Sequence, residues 1–569
     1  MDLLVKVLLV IGILGVLFVV KSRYDKKFYR KRIRELTRMQ WGCYTRDEYS
    51  DKIWSNISYY HRQREKACHK SGQAVGDAFY LDDITWNDLE MDSVYQLLNH
   101  TWTSPGEEML YHILRTPRLS DGELERRERL LRDLARHPEG REELEMALYD
   151  IGKTDKISVY EYLFKAKGLK PISRLPHLLA AALLAGCMAA LFWSPSSMLI
   201  LMFVVMGVNA YFYYREKGKM VQDIALFEFI LGIVRQCDNL SGIALEACQE
   251  ECRQLQALAG KFKRYGRFHW LVSGGNTMSG SLFDSLFDYV RILFHVDLIK
   301  IGTMIREVQK YEKELLEIYE IIGYLDSMAG IASYREMVGE YAVPKFLADR
   351  EKGKEMSLKD VCHPLVKDPV KNSIQTQRPV LLTGSNASGK STFIKTVAIA
   401  AIFSQTIHTV LGSEYRAVHY RIYSSMALRD SIQEKESYFI VEIKSLKRIF
   451  SALSREEAPV LCFVDEILRG TNTEERVAAS TVLLQELAGS PAMCFAATHD
   501  MELTHTLEHD FENYHFQEQM GEGDISFDYQ LRHGRSNTRN ALKLLEFIGF
   551  DQALVSRARS QIESTEEPA

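Results

Sequence analysis

The stretch Val380-Leu-Leu-Thr-Gly-Ser-Asn-Ala-Ser-Gly-Lys-Ser-Thr392 decides the fold of the second half of this 569-residue chain. Apolar residues typical of a buried strand lead into a glycine-rich loop, and a helical pattern follows. Between a strand and a helix, such a loop turns its backbone N–H groups toward a phosphate, and the helix N-terminus adds partial positive charge. A glycine-rich turn without a ligand is the alternative, and the strand-before, helix-after context argues against it.

The side chains at the end of this loop indicate a nucleotide. Lys390 can reach the β and γ phosphates, and the Ser391 hydroxyl can ligate magnesium. We therefore predict that the chain binds ATP together with Mg²⁺. The predicted nucleotide contacts are Gly384, Ser385, Asn386, Ala387, Ser388, Gly389, Lys390, Ser391 and Thr392.

A second motif supplies two carboxylates. The apolar run from Val460 to Val464 is typical of a buried strand, and it ends in Asp465 and Glu466. Asp465 is placed to hold magnesium through water, and Glu466 to orient or deprotonate the attacking water. Alone, the pattern also fits a helix N-cap. Roughly 75 residues after a phosphate loop, it favours an ATP-hydrolysing site.

A third strand candidate runs from Met493 to Ala497 and ends in Thr498-His499. A lone histidine is more often structural than catalytic. At the tip of a strand beside a γ-phosphate site, however, His499 could contact that phosphate by hydrogen bonding.

Length and composition limit what the chain can be. With 569 residues it is too long for one hydrophobic core, so we expect roughly two to four domains. The net charge of -5 argues against a uniformly basic nucleic-acid-binding protein, although a local basic face is compatible with it. The nine cysteines include no Cys-x-x-Cys pair, which favours reduced cytosolic thiols over a metal site.

An apolar segment near the N-terminus predicts a membrane anchor. Leu3 to Val20 is apolar except for Lys6, and a dense basic flank follows between residues 21 and 38. A cleaved signal peptide is the alternative. No Ala-x-Ala-like site follows the apolar core, and export would separate the ATP-binding domain from ATP.

Two further apolar stretches predict a transmembrane helical hairpin. His177 to Trp193 and Ser197 to Tyr214 are separated by the turn Ser194-Pro-Ser196. Arg174 and the basic residues between 215 and 219 flank the pair, so the positive-inside rule puts both ends in the cytoplasm. Each arm has only about 17 or 18 residues, and a buried helical pair in a soluble core is the alternative.

The residue pattern of the chain changes near Val343-Pro344. Before this point most of the sequence has helical periodicity, and after it short β-branched runs alternate with helices. The C-terminal part is therefore predicted to be an α/β domain.

Four motifs carry a family resemblance. They are Thr383–Thr392, Glu436–Glu442, Asp465–Thr473 and Ala497–Thr504, and in order and spacing they resemble the MutS mismatch-repair ATPases. The similarity extends backwards through His363-Pro364. The resemblance implies a C-terminal P-loop ATPase domain of the ABC type, preceded by an all-α lever, or core, domain, which here carries transmembrane helices.

The hydropathy pattern and the resemblance together predict domain boundaries. We expect an N-terminal membrane anchor at 1–22 and a basic and aromatic region at 23–98. A MutS-like helical domain at 99–343 would contain the hairpin at 177–214. The ATPase domain at 344–569 would end in a helix-turn-helix, for which Asn540 to Arg559 is the candidate.

MutS proteins work as dimers, and the resemblance implies the same for this chain. The serine matched by Ser437 is offered across the dimer interface to the partner's γ-phosphate; a helix N-cap is the alternative. His499 matches the switch histidine, and Arg469 lies in the matched loop after the second motif. The catalytic candidates are therefore Glu466, His499 and Ser437.

The chain departs from the family in ways that bear on function. No Phe-x-Glu mismatch reader is visible, the span for a DNA clamp is short, and no nuclease extension follows the ATPase domain. We therefore expect DNA binding without an assured mismatch specificity.

Three functions remain open. The first is a multi-pass ATPase of the cell membrane that engages DNA through lever helices and a basic patch at Lys261, Lys263, Arg264 and Arg267. The second is a membrane-associated, ATP-driven conformational machine that does not act on DNA. The third is a scaffold that binds ATP without turnover, against which Glu466 beside Asp465 argues. The expected partners of the first are a second copy of the chain, DNA, and membrane lipid around about three transmembrane helices.

Overall fold

A computed structural model provides the structure of the chain. It describes residues 2–43, 49–71, 79–154, 158–165, 173–191, 193–219, 221–262, 289–348, 354–385, 388–426, 438–454, 458–521, 524–536 and 550–565.

Contacts divide the chain into two compact units. The helical unit comprises Met1–Lys70, Asn99–His112 and Arg129–Met337. The C-terminal unit comprises Val338–Ala569 together with the earlier segments Ser71–Leu98 and Ile113–Glu128. The predicted domain boundaries stay predictions, and the packing adds that these two early segments belong with the C-terminal unit.

The first half of the chain is helical, as predicted. Its α-helices are α1 Asp2–Gln40, α2 Asp51–Ser71, α3 Asp83–Asp88, α4 Met91–Leu98, α5 Ser104–Leu114, α6 Asp121–Arg136, α7 Pro138–Ile151, α8 Val159–Lys165, α9 Leu175–Ala190, α10 Pro195–Lys219, α11 Val221–Leu240, α12 Gln249–Gly260, α13 Val296–Lys310 and α14 Glu312–Val338.

The long helix α14 forms the core of the helical unit. Every residue from Ile321 to Arg335 is buried except Tyr324. Asp326 accepts hydrogen bonds from the Trp102 and Thr103 backbone N–H groups and from the Thr103 hydroxyl, at 2.6–3.2 Å. These bonds satisfy donors at the start of α5, which helix geometry leaves without partners. Burial nevertheless raises the pKa of Asp326 to about 6.

The helices α9 and α10 pack against each other as the predicted hairpin. Their inner faces contribute Leu184, Cys187 and Val205 to a small buried cluster. Among the described residues, one helix segment, Met198–Lys219, is long and apolar enough to cross a membrane. Its mean hydropathy is 1.4, and 17% of its most apolar stretch is buried. The arm Leu175–Ala190 is shorter. The outer faces of the pair leave large apolar side chains exposed. A membrane crossing by this hairpin stays a prediction.

The N-terminal anchor prediction is not tested by side-chain burial. Its backbone lies in α1, whereas the side chains of residues 2–19 lie outside the described part of the structure.

The C-terminal unit contains the strands β1 Lys345–Phe346, β2 Met356–Val361, β3 Asn372–Thr376, β4 Val380–Thr383, β5 Glu414–Ala417, β6 Arg421–Ser425, β7 Val460–Asp465, β8 Met493–Ala497, β9 Glu512–His515, β10 Glu518–Gly521, β11 Asp524–Phe527 and β12 Arg532–His533. Its α-helices after the strand β1 are α15 Lys390–Thr406, α16 Tyr438–Leu453, α17 Thr473–Gly489, α18 Met501–Thr506 and α19 Gln552–Thr565. Elements of both kinds alternate, so the predicted α/β class is confirmed.

A six-stranded sheet organises this unit, with the strand order β12-β9-β4-β8-β7-β6. All neighbouring strands from β9 to β6 pair in parallel, and β12 is antiparallel to β9. The strands β4 and β8 are buried along their whole length, as apolar runs in parallel sheets require. A four-stranded sheet, β1-β5-β2-β3, and the hairpin β10-β11 complete the unit.

The early helix α3 packs on the edge strand β6. Asp88 at the end of α3 accepts a hydrogen bond from the Ser424 hydroxyl at 2.6 Å, and Thr85 accepts one from the Ser424 N–H at 3.1 Å. The edge strand is thereby covered, which removes an exposed site for strand addition.

The packing of α14 on α5 yields a test of the fold. A Cβ at Gly323 would lie 2.7 Å from the Pro105 carbonyl oxygen. We expect Gly323→Ala to destabilise the protein by about 1–3 kcal/mol, because backbone must move to admit the methyl group. Gly232→Ala in α11 is the control, since no atom lies within 4 Å of its added Cβ.

The thermal unfolding midpoint of the detergent-solubilised protein measures both changes. The control should leave the midpoint unchanged or raise it, because alanine favours the helix by up to about 1 kcal/mol. Equal midpoints for the two variants would contradict the close approach of α14 and α5.

Candidate functional site

The predicted phosphate loop lies between β4 and α15. Gly384 has φ 144° and Gly389 has φ 108°, both in the region that favours glycine. A Cβ at Gly384 would lie 2.8 Å from the Phe516 carbonyl oxygen, so the loop also needs glycine there for space. Of the predicted nucleotide contacts, Asn386 and Ala387 lie outside the described residues. The other seven belong to the loop or to the first turn of α15.

Lys390 lies in the interior of the loop. Its Nζ donates hydrogen bonds to the carbonyl oxygens of Gly384 and Ser385, each at 2.8 Å. The ammonium group is buried at the first residue of α15, beside the backbone N–H groups that the helix leaves without internal partners. This arrangement presents positive charge and N–H donors to the same small volume, as phosphate binding requires.

The side chains of Ser391, in the first turn of α15, and Asp465, at the end of β7, form a hydrogen bond. The Ser391 hydroxyl donates to Asp465 Oδ2 at 2.5 Å, whereas Asp465 Oδ1 is buried and has no hydrogen-bond partner in the described part of the structure. Burial raises the pKa of Asp465, which the Ser391 hydrogen bond partly offsets. A hydroxyl beside a buried carboxylate oxygen with free lone pairs fits the hard, oxygen-liganded ion Mg²⁺.

Glu466 follows Asp465 at the end of β7. Its backbone has φ 54°, and its N–H donates to the Ala497 carbonyl of β8 at 3.0 Å. One carboxylate oxygen lies 2.9 Å from His499 Nε2, and the other lies 2.9 Å from the Arg469 guanidinium. The carboxylate is therefore held between two nitrogen groups at the same sheet edge as Ser391 and Lys390.

The candidate Ser437 lies outside the described residues, which resume at the next position with α16. Its predicted contact with a partner's nucleotide stays a prediction. Residues 540–549 of the expected helix-turn-helix also lie outside the described part, and α19 follows them.

Glu442 of α16 was not assigned a role from the sequence. It is buried, and its Oε1 accepts a hydrogen bond from the Leu468 N–H, where the backbone has φ 56°. Glu442 thus holds the loop that carries Arg469. The motif Glu436–Glu442 suggested a function for this segment but not which residue it would contact.

A cavity of about 500 Å³ adjoins the phosphate loop. Its wall includes Lys390, Ser391, Glu466 and His499, and extends to apolar and aromatic side chains that the sequence analysis missed. These are Val366, Pro369, Val370, Phe516 and Tyr529.

Two residues fix the remote part of this cavity. The Asn372 side chain bridges the backbone on both sides of Gln530, directly after Tyr529: it donates to the Tyr529 carbonyl at 2.9 Å and accepts from the Leu531 N–H at 2.8 Å. Burial, with a smaller contribution from Lys395, lowers the pKa of His363 to about 4. His363 is therefore neutral at physiological pH. In the sequence, the His363-Pro364 pair was the one feature that pointed to this part of the cavity wall.

Similar proteins are known for this half of the chain. The family model MutS domain V matches residues 380–566. The DNA mismatch repair protein MutS of Thermotoga maritima is 27% identical over 271 residues, covering 46% of this chain and 33% of that protein. MutS protein homolog 4 of Mus musculus is 26% identical over 289 residues, covering 48% and 29%.

The DNA mismatch repair protein MutS of Thermus thermophilus is 28% identical over 262 residues, covering 45% of this chain and 31% of that protein. The chain thus spans about a third of the length of the curated relatives it matches.

Proposed function

Because the chain belongs to the MutS family through its C-terminal α/β domain, we propose that it binds and hydrolyses MgATP as a dimer. The observation that carries this proposal is the meeting of Lys390, the Ser391–Asp465 pair and Glu466 at one edge of the sheet. Phosphoryl transfer needs positioning and neutralisation of charge, and these groups provide both.

Each group has a distinct part in the reaction. Lys390 exchanges its two carbonyl partners for phosphate oxygens, and the loop N–H groups bind the same phosphates. Ser391 and Asp465 would hold Mg²⁺, which would supply positive charge to neutralise the phosphates. Glu466 orients or deprotonates the attacking water. His499, whose Nε2 lies 2.9 Å from Glu466, would contact the γ-phosphate by hydrogen bonding.

The apolar wall of the 500 Å³ cavity suits the nucleobase. The ring of Tyr529 lies beside Gly389, where an added Cβ would lie 3.2 Å from its Cδ1. Aromatic faces stack on bases without reading their hydrogen-bonding edges.

We further propose that the ATP cycle acts on DNA at a membrane. The DNA assignment rests on the family, since the relatives from Thermotoga maritima and Thermus thermophilus are DNA mismatch repair proteins by name. In the proposed basic patch, Lys261 forms an ion pair with Glu314 at 2.9 Å, while Lys263, Arg264 and Arg267 lie outside the described residues.

The membrane assignment rests on the hairpin. Large apolar side chains cover its outer faces, and Trp193 beside the turn is 88% exposed. Contiguous apolar surfaces of this kind mark sites that contact lipid or protein. The outward apolar residues include Leu179, Leu183, Ile200, Phe203, Val204 and Val208.

The same hairpin favours the second candidate function, a conformational machine that does not act on DNA. In this case, closure of the ATPase dimer would move the embedded helices instead of clamping a duplex. Both candidates place the ATPase domain in the cytoplasm and make the chain a multi-pass membrane protein.

Two substitutions separate binding from hydrolysis. We expect Lys390→Ala to abolish ATP binding, because the buried ammonium is lost. Glu466→Gln keeps the shape of the side chain and should retain ATP binding, while turnover falls by about a hundredfold or more. Nucleotide binding by calorimetry and phosphate release measure the two effects. Equal loss of ATP binding in both variants would contradict the role of Glu466.

The two candidate functions differ in their response to DNA. If the cycle acts on DNA, homoduplex, mismatched or branched DNA should raise ATP turnover of the solubilised protein, and the effect should weaken steeply with salt. Unchanged turnover with all three substrates at low salt, alongside normal basal hydrolysis, would favour the machine that does not act on DNA.

The topology of the hairpin can be tested with a single cysteine. We expect Ser194→Cys, at the turn, to react with a membrane-impermeant maleimide in intact cells, because both hairpin ends face the cytoplasm. The exposed natural Cys43 is the control and should react only after permeabilisation. Labelling of both sites only after permeabilisation would contradict a spanning hairpin.

A further inference from the structure

A second large cavity lies in the helical unit, on the side of α1. Its volume is about 890 Å³, and its wall is formed by α1, α7 and Asn239 at the end of α11. The helix α1 contributes aromatic and basic side chains to this wall. They include Tyr24, Lys27, Phe28, Arg30, Lys31 and Arg34.

The position of this cavity along α1 relates it to the membrane surface. The helix is continuous from Asp2 to Gln40, and its apolar run ends at Val20. At ~1.5 Å per residue, the run from Leu3 to Val20 spans roughly 27 Å, close to the ~30 Å hydrocarbon layer. Tyr24 then lies about 6 Å and Phe28 about 12 Å beyond its end, at the depth of lipid headgroups.

The exposure of the aromatic residues fits this depth. Tyr24 is 70% exposed and Phe28 is 60% exposed, although both are large and partly apolar. Aromatic side chains favour the membrane–water interface, where one end meets lipid and the other meets water. At a surface in contact with water alone, the apolar parts of these side chains would have no lipid to contact.

The charges of the wall favour an anion. Four cations from α1 face two carboxylates, Glu143 and Asp150 of α7. Asp150 is already engaged, because it accepts hydrogen bonds from the Tyr29 hydroxyl at 3.1 Å and from Gln236 at 3.3 Å. Burial raises the pKa of Asp150, and the hydrogen bond from Tyr29 partly offsets this. Two of the four cations also have carboxylate partners, since Lys31 lies 3.9 Å from Glu35 and Arg34 lies 3.6 Å from Glu142. The wall itself carries four cations and two carboxylates.

We propose that this cavity binds the phosphate-bearing headgroup of an anionic phospholipid. The cations Lys27, Arg30 and Lys31 contact the phosphate, and Tyr24 and Phe28 contact the glycerol and upper acyl region. The site rests on the membrane anchor of the proposed function. A nucleic-acid backbone carries the same phosphate chemistry, but the cavity begins one helical turn after the apolar run, where a duplex would meet the bilayer surface.

The test uses the full-length protein in neutral detergent, titrated by calorimetry. The probes are a short-chain phosphatidylglycerol, the matching phosphatidylcholine, inorganic phosphate and duplex DNA. We expect saturable binding of phosphatidylglycerol, with phosphatidylcholine and inorganic phosphate at least about tenfold weaker. In the cavity variant, Lys27→Gln, Arg30→Gln and Lys31→Gln together should weaken phosphatidylglycerol binding at least about tenfold.

A matched control removes the same charge from the same helix outside the cavity wall. It carries Arg23→Gln, Lys26→Gln and Arg32→Gln, all at exposed positions. The control should bind phosphatidylglycerol within about twofold of the parent, because these side chains do not line the cavity.

Three results would overturn the lipid site. They are an equal loss of lipid binding in both triple variants, inorganic phosphate binding as tightly as phosphatidylglycerol, and DNA binding that the cavity variant alone removes. Flotation with phosphatidylcholine vesicles separates this failure from failure of the anchor. If the parent and both variants float but lipid binding does not differ between them, the cavity proposal alone is wrong. If the parent does not float, the membrane part of the proposed function is wrong as well.

Discussion

The parallel register of β4, β8 and β7 is the constraint on which the nucleotide site depends. Ala497 of β8 pairs with Leu382 on one side and with Asp465 on the other. Because the carboxyl ends of parallel strands meet at one edge of the sheet, the phosphate loop, His499 and the two carboxylates lie together. A one-residue slip in strand pairing would turn every side chain of a strand to the opposite face of the sheet. Both faces of β4 and β8 are buried, so each such side chain would then meet a different packed environment.

Much of this arrangement could be predicted from the sequence because its signals are local. The loop from Gly384 to Ser391 and the pair Asp465-Glu466 each follow a short apolar run, and the structure has the three predicted strands at these places. The contacts of Glu442 with Leu468 and of Asn372 around Tyr529 had no such signal. Their partners are distant in sequence, and the contacts depend on how strands and helices pack. The same holds for Asp88, which joins an early helix to β6.

The helical hairpin of α9 and α10 shows a different balance of signals. Composition identified the hairpin, but only the structure distinguishes its buried face, with Leu184 and Val205, from its exposed face. Each large apolar side chain left in water forgoes roughly 1.5–3 kcal/mol of burial free energy, and a contiguous surface of such side chains marks an interaction site.

The central claim is that the sheet edge is a preformed site for a nucleotide with magnesium. Binding of a non-hydrolysable ATP analogue to the purified full-length protein, measured by calorimetry with and without Mg²⁺, tests it most directly. The account predicts saturable binding that weakens at least about tenfold when Mg²⁺ is removed, and that loses this dependence in Asp465→Asn. Equal affinity with and without Mg²⁺ in the parent protein, or no binding at all, would contradict it.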